Sequence, residues 1–195
     1  VNAENLPNSK KTTRQITGLI VAGCCSGHLN GDSNSQRLLH ETLESDKPVL
    51  AVGHGMEVLN VMFGGAFIDK VTGHGSTGEE EESSFHRIYI APGSKLAAIV
   101  GSGGFVRVNS RHQQGVKEGQ KSIHLLASAY SLDDGFIEGL ESPDHDWVLG
   151  VQFHPEFRSR PDAPHPSKAN RAEGVAPFDS SSILGSPIGF LRILL

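Results

Sequence analysis

The chain has 195 residues, with 17 Lys and Arg against 22 Asp and Glu, so its net charge is −5. A chain of this length predicts one domain with an adequate core. Hydrophobic residues make up only 37%, while 23 Gly and 10 Pro require many turns, which favours short alternating strands and helices. The acidic balance, without Lys/Arg clusters, argues against nucleic acid and membrane surfaces as partners, and no apolar stretch approaches the ~18–20 residues that span a bilayer.

The amino-terminal part predicts an α/β unit. Residues 1–15 are polar and predict an irregular or helical lead-in to a single domain over 16–195. Residues 16–22 form an apolar run typical of a buried parallel strand, and a helix is predicted from about 34 to 45. A second buried strand over 48–52 runs into a tight turn and an apolar helix. This order predicts a flavodoxin-like doubly wound sheet.

The remainder of the chain is predicted to be rich in strands, which we place at 85–90, 105–108, 123–130, 135–140 and 147–153. Residues 73–83 predict a polar, acidic loop, and the proline-rich stretch 157–180 predicts a long irregular excursion. A short helix is predicted within 183–195. The glycine run 101–104 predicts a hairpin-type turn between strands, because it lacks the GK[ST] of a phosphate loop.

The turn after the second strand has the pattern of a nucleophile elbow, in which a strained strand-to-helix turn projects one side chain from the sheet. Ala51 and Gly55 are the small flanking residues that such a turn needs. The residue at the turn itself is Gly53, which has no side chain. On this segment alone, an ordinary Rossmann-type turn is the favoured alternative.

A histidine and a carboxylate follow the last predicted strand. His154 lies just past the strand end, and Glu156 follows two residues later. A histidine in this position can act as a general base whose ring the carboxylate orients. A lone histidine is more often structural, but the pair combined with an elbow favours a catalytic constellation.

Three segments, AVGHGMEVLNVMFGGAFID, VNSRHQQGV and GVQFHPE, resemble in order and spacing the signature blocks of the class I glutamine amidotransferase superfamily. The nearest branch is that of the gamma-glutamyl hydrolases, especially gamma-glutamyl-gamma-aminobutyrate hydrolases. The resemblance covers about residues 16–157. It implies a class I glutamine amidotransferase-like fold and cleavage of a glutamine or gamma-glutamyl amide through a thioester on a Cys–His–Glu triad.

The resemblance also implies partners. We expect a gamma-glutamyl or glutamine-like small molecule at the site and, at the family level, a synthetase-type protein partner. The family's first strand and helix have no match before residue 16, which predicts an upstream partner segment or a fragment. The segment FRSRPDAPHPS resembles the one that follows HPE in the glutaminase domains of CTP synthases. The sequence contains no cofactor motif, and none is expected.

The family's site residues carry over with one decisive departure. His154 and Glu156 match the catalytic His and Glu, whereas Gly53 stands where the family has its nucleophilic Cys. Without a thiolate no acyl-enzyme forms, and loss of a triad nucleophile costs about 10⁶ in turnover. The residues that the resemblance assigns to the oxyanion loop and the substrate pocket are Gly23, Cys24, His54, Asn109, Ser110 and His112.

Two functions remain open. The first is a degenerate amidotransferase-like protein that binds a gamma-glutamyl ligand or a protein partner without turnover. The second is an active gamma-glutamyl amide hydrolase that uses a thiol relocated to Cys24 or Cys25, or water activated by His154 and Glu156. The adjacent cysteines favour a reducing, cytoplasmic compartment over a disulfide framework.

A metal site near the elbow is a further interpretation of the sequence. The residues that could converge there are His28, His54, His112, His154, Cys24 and Cys25. No HExxH or CxxC spacing supports such a site, so the sequence predicts no metal ligands.

Overall fold

The computed structural model describes residues 16–23, 34–74 and 84–155. Its elements are β1 (Leu19–Gly23), α1 (Asn34–Glu44), β2 (Val49–Gly53), α2 (His54–Met62), β3 (Ser84–Ile90), α3 (Lys95–Val100), β4 (Gly104–Ser110), β5 (Leu126–Ser131), β6 (Ile137–Glu141) and β7 (Val148–Val151). The longest described helix has 11 residues, too few to cross a bilayer. The expectations for residues 1–15, 75–83, 157–180 and 183–195 fall outside these ranges.

All seven strands form one mixed sheet in the order β1-β2-β7-β6-β5-β3-β4. β1, β2 and β7 are parallel neighbours, and the remaining pairs are antiparallel. The predicted opening of strand, helix, strand, tight turn and helix is confirmed, as is the α/β class. Because the chain after α2 returns through antiparallel strands, parallel pairing is limited to three strands of the described sheet.

Strand β2 separates two layers of the core. Val49 and Ala51 pack with α1 and α2 on one face, while Leu50 and Val52 pack with α3 on the other. Every residue of β2 is buried. Alternate residues of a strand point to opposite faces, so a strand covered on both faces needs an uninterrupted apolar run. This burial fixes the strand that carries the elbow.

Two glycines let α2 lie unusually close to the sheet. A Cβ atom on Gly55 would stand 2.0 Å from the carbonyl oxygen of Val21 in β1. A Cβ atom on Gly150 in β7 would stand 2.7 Å from Cγ of Met56. The start of α2 is therefore held against the backbone of β1 and, through Met56, against β7.

The segment between β3 and β4 differs from the prediction. Residues Lys95–Val100 form α3, which begins where the Ser94 hydroxyl accepts a hydrogen bond from the Ala97 N–H. Gly101 ends this helix with a left-handed φ of 98°. The prediction of a hairpin-type turn at residues 101–104 was wrong, because these glycines lead from a helix into β4. The strand predicted from residue 123 begins only at Leu126, after a turn over 122–125.

Candidate ligand site at the carboxyl ends of the parallel strands

The turn between β2 and α2 has an unusual backbone. Gly53 adopts φ 57° and ψ −124°. This positive-φ conformation strains a residue with a side chain and is typical of the sharp strand-to-helix turn of a nucleophile elbow. In the parallel ladder Gly53 pairs with Gly23 at the end of β1. The site thus has the backbone of an elbow and no side chain at its tip.

His154 lies near this turn because β7 is the parallel neighbour of β2, with Val52 opposite Val151. Asn109, at the end of β4, holds the main chain of His154 from both sides. The His154 N–H donates to Asn109 Oδ1 at 2.9 Å, and Asn109 Nδ2 donates to the His154 carbonyl at 2.7 Å. The histidine's place is therefore set through its backbone. Glu156, predicted to orient its ring, lies outside the described residues.

A pocket opens beside the turn and contains about 220 Å³ of empty space, part of it open to solvent. Its lining residues are His54, Glu57, Arg111, His112, Gln113, Gln114 and His154. His54 Nδ1 lies 3.2 Å from Oε2 of the buried Glu57. Three residues assigned from the sequence, His54, His112 and His154, thus line one pocket, which also carries side chains of both charges.

The other assigned residues lie elsewhere. Asn109 contacts the main chain of His154, as described, and does not belong to the pocket lining. The Ser110 hydroxyl is buried and donates to the His74 carbonyl at 3.1 Å. Gly23 lies at the end of β1, next to Gly53. Cys24, Cys25 and His28 fall outside the described residues.

A second polar group, which we call the histidine cluster, comprises His74, His86, His112 and Glu138. Glu138, on β6, is fully buried. Its Oε1 lies 3.2 Å from His86 Nε2, 3.6 Å from His112 Nε2 and 3.8 Å from His74 Nδ1. The sequence analysis missed His74, His86 and Glu138. The available signal was a charged residue, Glu138, inside a predicted strand.

Burial and charge oppose each other in the histidine cluster. Burial raises the pKa of the Glu138 carboxyl, but the neighbouring His112 and His86 outweigh it and hold this pKa below its ordinary value. Burial lowers the pKa of His112, but Glu138 outweighs it, so the net pKa of His112 is raised. For His74, burial outweighs the attraction of Asp134 and leaves its pKa lowered. The cluster therefore favours an ionised carboxylate.

Comparison with known proteins identifies the family of this chain. Residues 27–156 match the Peptidase C26 family. Protein NtpR of Enterococcus hirae is 36% identical over 138 residues, which are 67% of this chain and 56% of NtpR. The CTP synthase of Chelativorans sp. (strain BNC1) is 35% identical over 108 residues, which are 52% of this chain and 19% of the synthase. The chain thus spans less than two thirds of either relative.

The fold is shared with a solved structure. The glutaminase domain of Trypanosoma brucei CTP synthase, with bound acivicin, superposes with a TM-score of 0.57 at 21% identity. The superposition covers 80% of this chain and 69% of that domain. At this level of identity the likeness is one of fold alone.

Proposed function

Because the chain belongs to the Peptidase C26 family and has the fold of the class I glutamine amidotransferases, we propose that it binds a glutamine-like or gamma-glutamyl ligand without thioester chemistry. The observation that carries this proposal is Gly53. The turn keeps an elbow backbone, but covalent catalysis needs a thiolate or hydroxyl at that position to attack the amide carbon. Without it, His154 has no elbow thiol to deprotonate, and binding is the function left to the site.

The charges in the pocket support an amino acid as the ligand class. Arg111 offers a guanidinium, which pairs well with a carboxylate. Glu57, on the same lining, is a buried carboxylate that suits an ammonium group. An α-amino acid carries both groups on one carbon. The N–H groups at the start of α2 favour a carbonyl or carboxylate oxygen near Gly53.

We extend the proposal to a protein partner. The Chelativorans CTP synthase aligns through 19% of its length, so the similar segment there is part of a longer synthetase chain. We propose that a synthetase-type protein or an upstream segment associates with this chain. A reducing cytoplasm is the compartment we propose, because Cys24 and Cys25 are adjacent and offer no disulfide framework.

The test introduces a thiol sulfur at position 53. Wild type, Gly53→Cys, Gly53→Ala and the double variant Gly53→Cys/His154→Ala are incubated with glutamine chloroketone, an electrophilic glutamine analogue, and weighed by intact mass spectrometry. We expect one adduct per chain on Gly53→Cys and none on wild type or Gly53→Ala. Labelling of the double variant should be much slower, because His154 would no longer promote thiolate formation.

Two further measurements decide the proposal. Titration calorimetry with L-glutamine and gamma-glutamyl amides should show binding to wild type that Arg111→Gln weakens roughly tenfold or more. Absence of binding by all these compounds would contradict the ligand proposal. Ammonia or glutamate release by wild type, or a His154-dependent adduct on Cys24 or Cys25, would overturn it in favour of an active hydrolase.

A further inference from the structure

We infer that the histidine cluster is a binding site for a zinc-class divalent metal ion, with His74, His112 and Glu138 as its protein ligands. The site lies in the antiparallel half of the sheet, and His112 is shared with the pocket wall. This inference does not rest on the proposed function, because it concerns different donor atoms and a different kind of ligand.

The spacing of the donor atoms suits a metal ion. His74, His112 and Glu138 each offer one ligand atom, and these three atoms lie within 4.8 Å of one another. His86 Nε2 lies 3.2 Å from the same Glu138 oxygen. Zinc–ligand bonds of roughly 2.0–2.1 Å in a tetrahedron place neighbouring ligand atoms about 3.3 Å apart. The separations of 3.6 and 3.8 Å between the Glu138 oxygen and the His112 and His74 nitrogens are close to this value.

Two of the imidazoles are already oriented as metal ligands. His74 Nε2 lies 2.7 Å from Asp134 Oδ2, and His112 Nδ1 lies 2.6 Å from the Gln114 carbonyl oxygen. With its proton on Nδ1, His112 presents the lone pair of Nε2 to the cluster. His74 Nδ1 lies 3.1 Å from the Ser110 hydroxyl oxygen, so a metal ion bound there would replace this hydrogen bond. Such carboxylate and carbonyl partners are typical of the second layer around protein-bound metals.

The cluster also contains buried polar atoms that the rest of the described chain does not satisfy. Five atoms of the cluster have no hydrogen-bond partner among residues 16–23, 34–74 and 84–155. They are His86 Nδ1 and Nε2, His112 Nε2 and both carboxylate oxygens of Glu138. All three side chains are more than nine-tenths buried. Unsatisfied buried groups cost about 1–3 kcal/mol each. A cation among them would satisfy several at once.

The donor set and the net charge indicate the class of metal. Imidazole nitrogens with one carboxylate suit Zn²⁺ and neighbouring late first-row dications, whereas Mg²⁺ and Ca²⁺ prefer oxygen ligands. With neutral imidazoles, the carboxylates of Glu138 and Asp134 balance the two positive charges of the ion. The buried site would then be neutral overall, which limits its desolvation cost.

The test measures metal binding directly. The full chain is stripped with a chelator and titrated with Zn²⁺ in competition with a fluorescent zinc indicator, and then with Co²⁺ while its visible absorption is recorded. We expect one ion per chain and a four-coordinate Co²⁺ spectrum. His74→Gln should weaken Zn²⁺ binding at least 100-fold, and Asp134→Asn, which removes only an outer partner, 10- to 100-fold.

The controls separate this site from other donors. His40→Gln alters an exposed histidine on α1 and should leave Zn²⁺ affinity unchanged. Cys24→Ser and Cys25→Ser should do the same. Asp134 lies at a partly exposed turn, so Asn at this position tests the site without removing a core side chain. Failure of stripped wild type to bind one ion, or binding that depends on the cysteines rather than on His74 and Asp134, would overturn the inference.

Discussion

The site at the Gly53 turn and the histidine cluster are incomplete in opposite ways. At the parallel end of the sheet, the Gly53 turn has the backbone of an elbow but no attacking side chain. In the antiparallel half, the histidine cluster has its side chains in place around Glu138, but several of their polar atoms lack a hydrogen-bond partner among the described residues. The difference teaches that the geometry of a site and its chemistry have separate physical origins.

The elbow keeps its geometry because main-chain packing sets it. Gly55 brings α2 against the carbonyl of Val21, and β2 is buried on both faces. None of these contacts involves the side chain at position 53, so losing a nucleophile there leaves the turn intact. The geometry of the histidine cluster depends instead on side chains, because its contacts are made by side chains from separate parts of the chain.

The largest expected effect tests the main-chain packing of the elbow. Gly55→Ala places a Cβ atom 2.0 Å from the Val21 carbonyl oxygen. We expect the free energy of unfolding to fall by about 4 kcal/mol or the chain to fail to fold, because a backbone clash cannot be relieved by a rotamer change. Urea unfolding measures it. Gly119→Ala is the control, since no atom lies within 4 Å of its added Cβ. A loss below about 1 kcal/mol for Gly55→Ala would show that the packing is looser than described.

A somewhat smaller effect tests the histidine cluster. Glu138→Gln keeps the shape of the side chain but removes the buried charge that raises the pKa of His112. In the presence of a chelator at about pH 5.5, where the raised pKa of His112 keeps it protonated, we expect the free energy of unfolding to fall by about 3 kcal/mol, the cost of leaving a buried charge without its partner. Glu44→Gln, at an exposed position 3.5 Å from His40 Nδ1, should change it by less than about 0.5 kcal/mol. Equal effects of the two variants would mean that the cluster does not stabilise the fold through charge.

The smallest effect concerns the surface of the antiparallel half. Burial and a 2.6 Å hydrogen bond to Glu118 raise the pKa of Tyr130 to about 12. Because the folded pKa lies above the ordinary value of 10.0, the stability it contributes is complete below pH 10 and is lost as the pH rises towards 12. Tyr130→Phe should flatten this part of the stability profile, by less than about 1 kcal/mol for so exposed a bond. Urea midpoints at pH 9 and pH 11.5 test it. An unchanged difference between them would contradict the shift.

Much of the parallel half could be predicted from the sequence because its signals are local. The apolar runs that became β1, β2 and β7 and the turn at Gly53 each lie within a few consecutive residues. Helix α3 was missed because its six residues form an apolar run between strands. Its caps, Ser94 and Gly101, were the available signals.

The two sites also differed in how far their residues could be predicted from the sequence. Three histidines that line the pocket, His54, His112 and His154, were assigned from the sequence because each lies in a block with a recognisable pattern. The histidine cluster was not found, since residues 74, 86, 112 and 138 follow no sequence period. They meet only when β6 pairs beside β5 and the chain after β4 folds back over it. Such convergence depends on tertiary packing, which spacing along the chain does not encode.

The bonds between Asn109 and His154 have a consequence for how this protein can change. Both bonds end on main-chain atoms of residue 154, which every amino acid except proline provides. The main-chain path at residue 154 therefore does not depend on the imidazole ring. In the same way, the turn at residue 53 does not depend on a thiol. A substitution at position 53 or 154 therefore changes the reactivity of the site but leaves the path of the main chain in place.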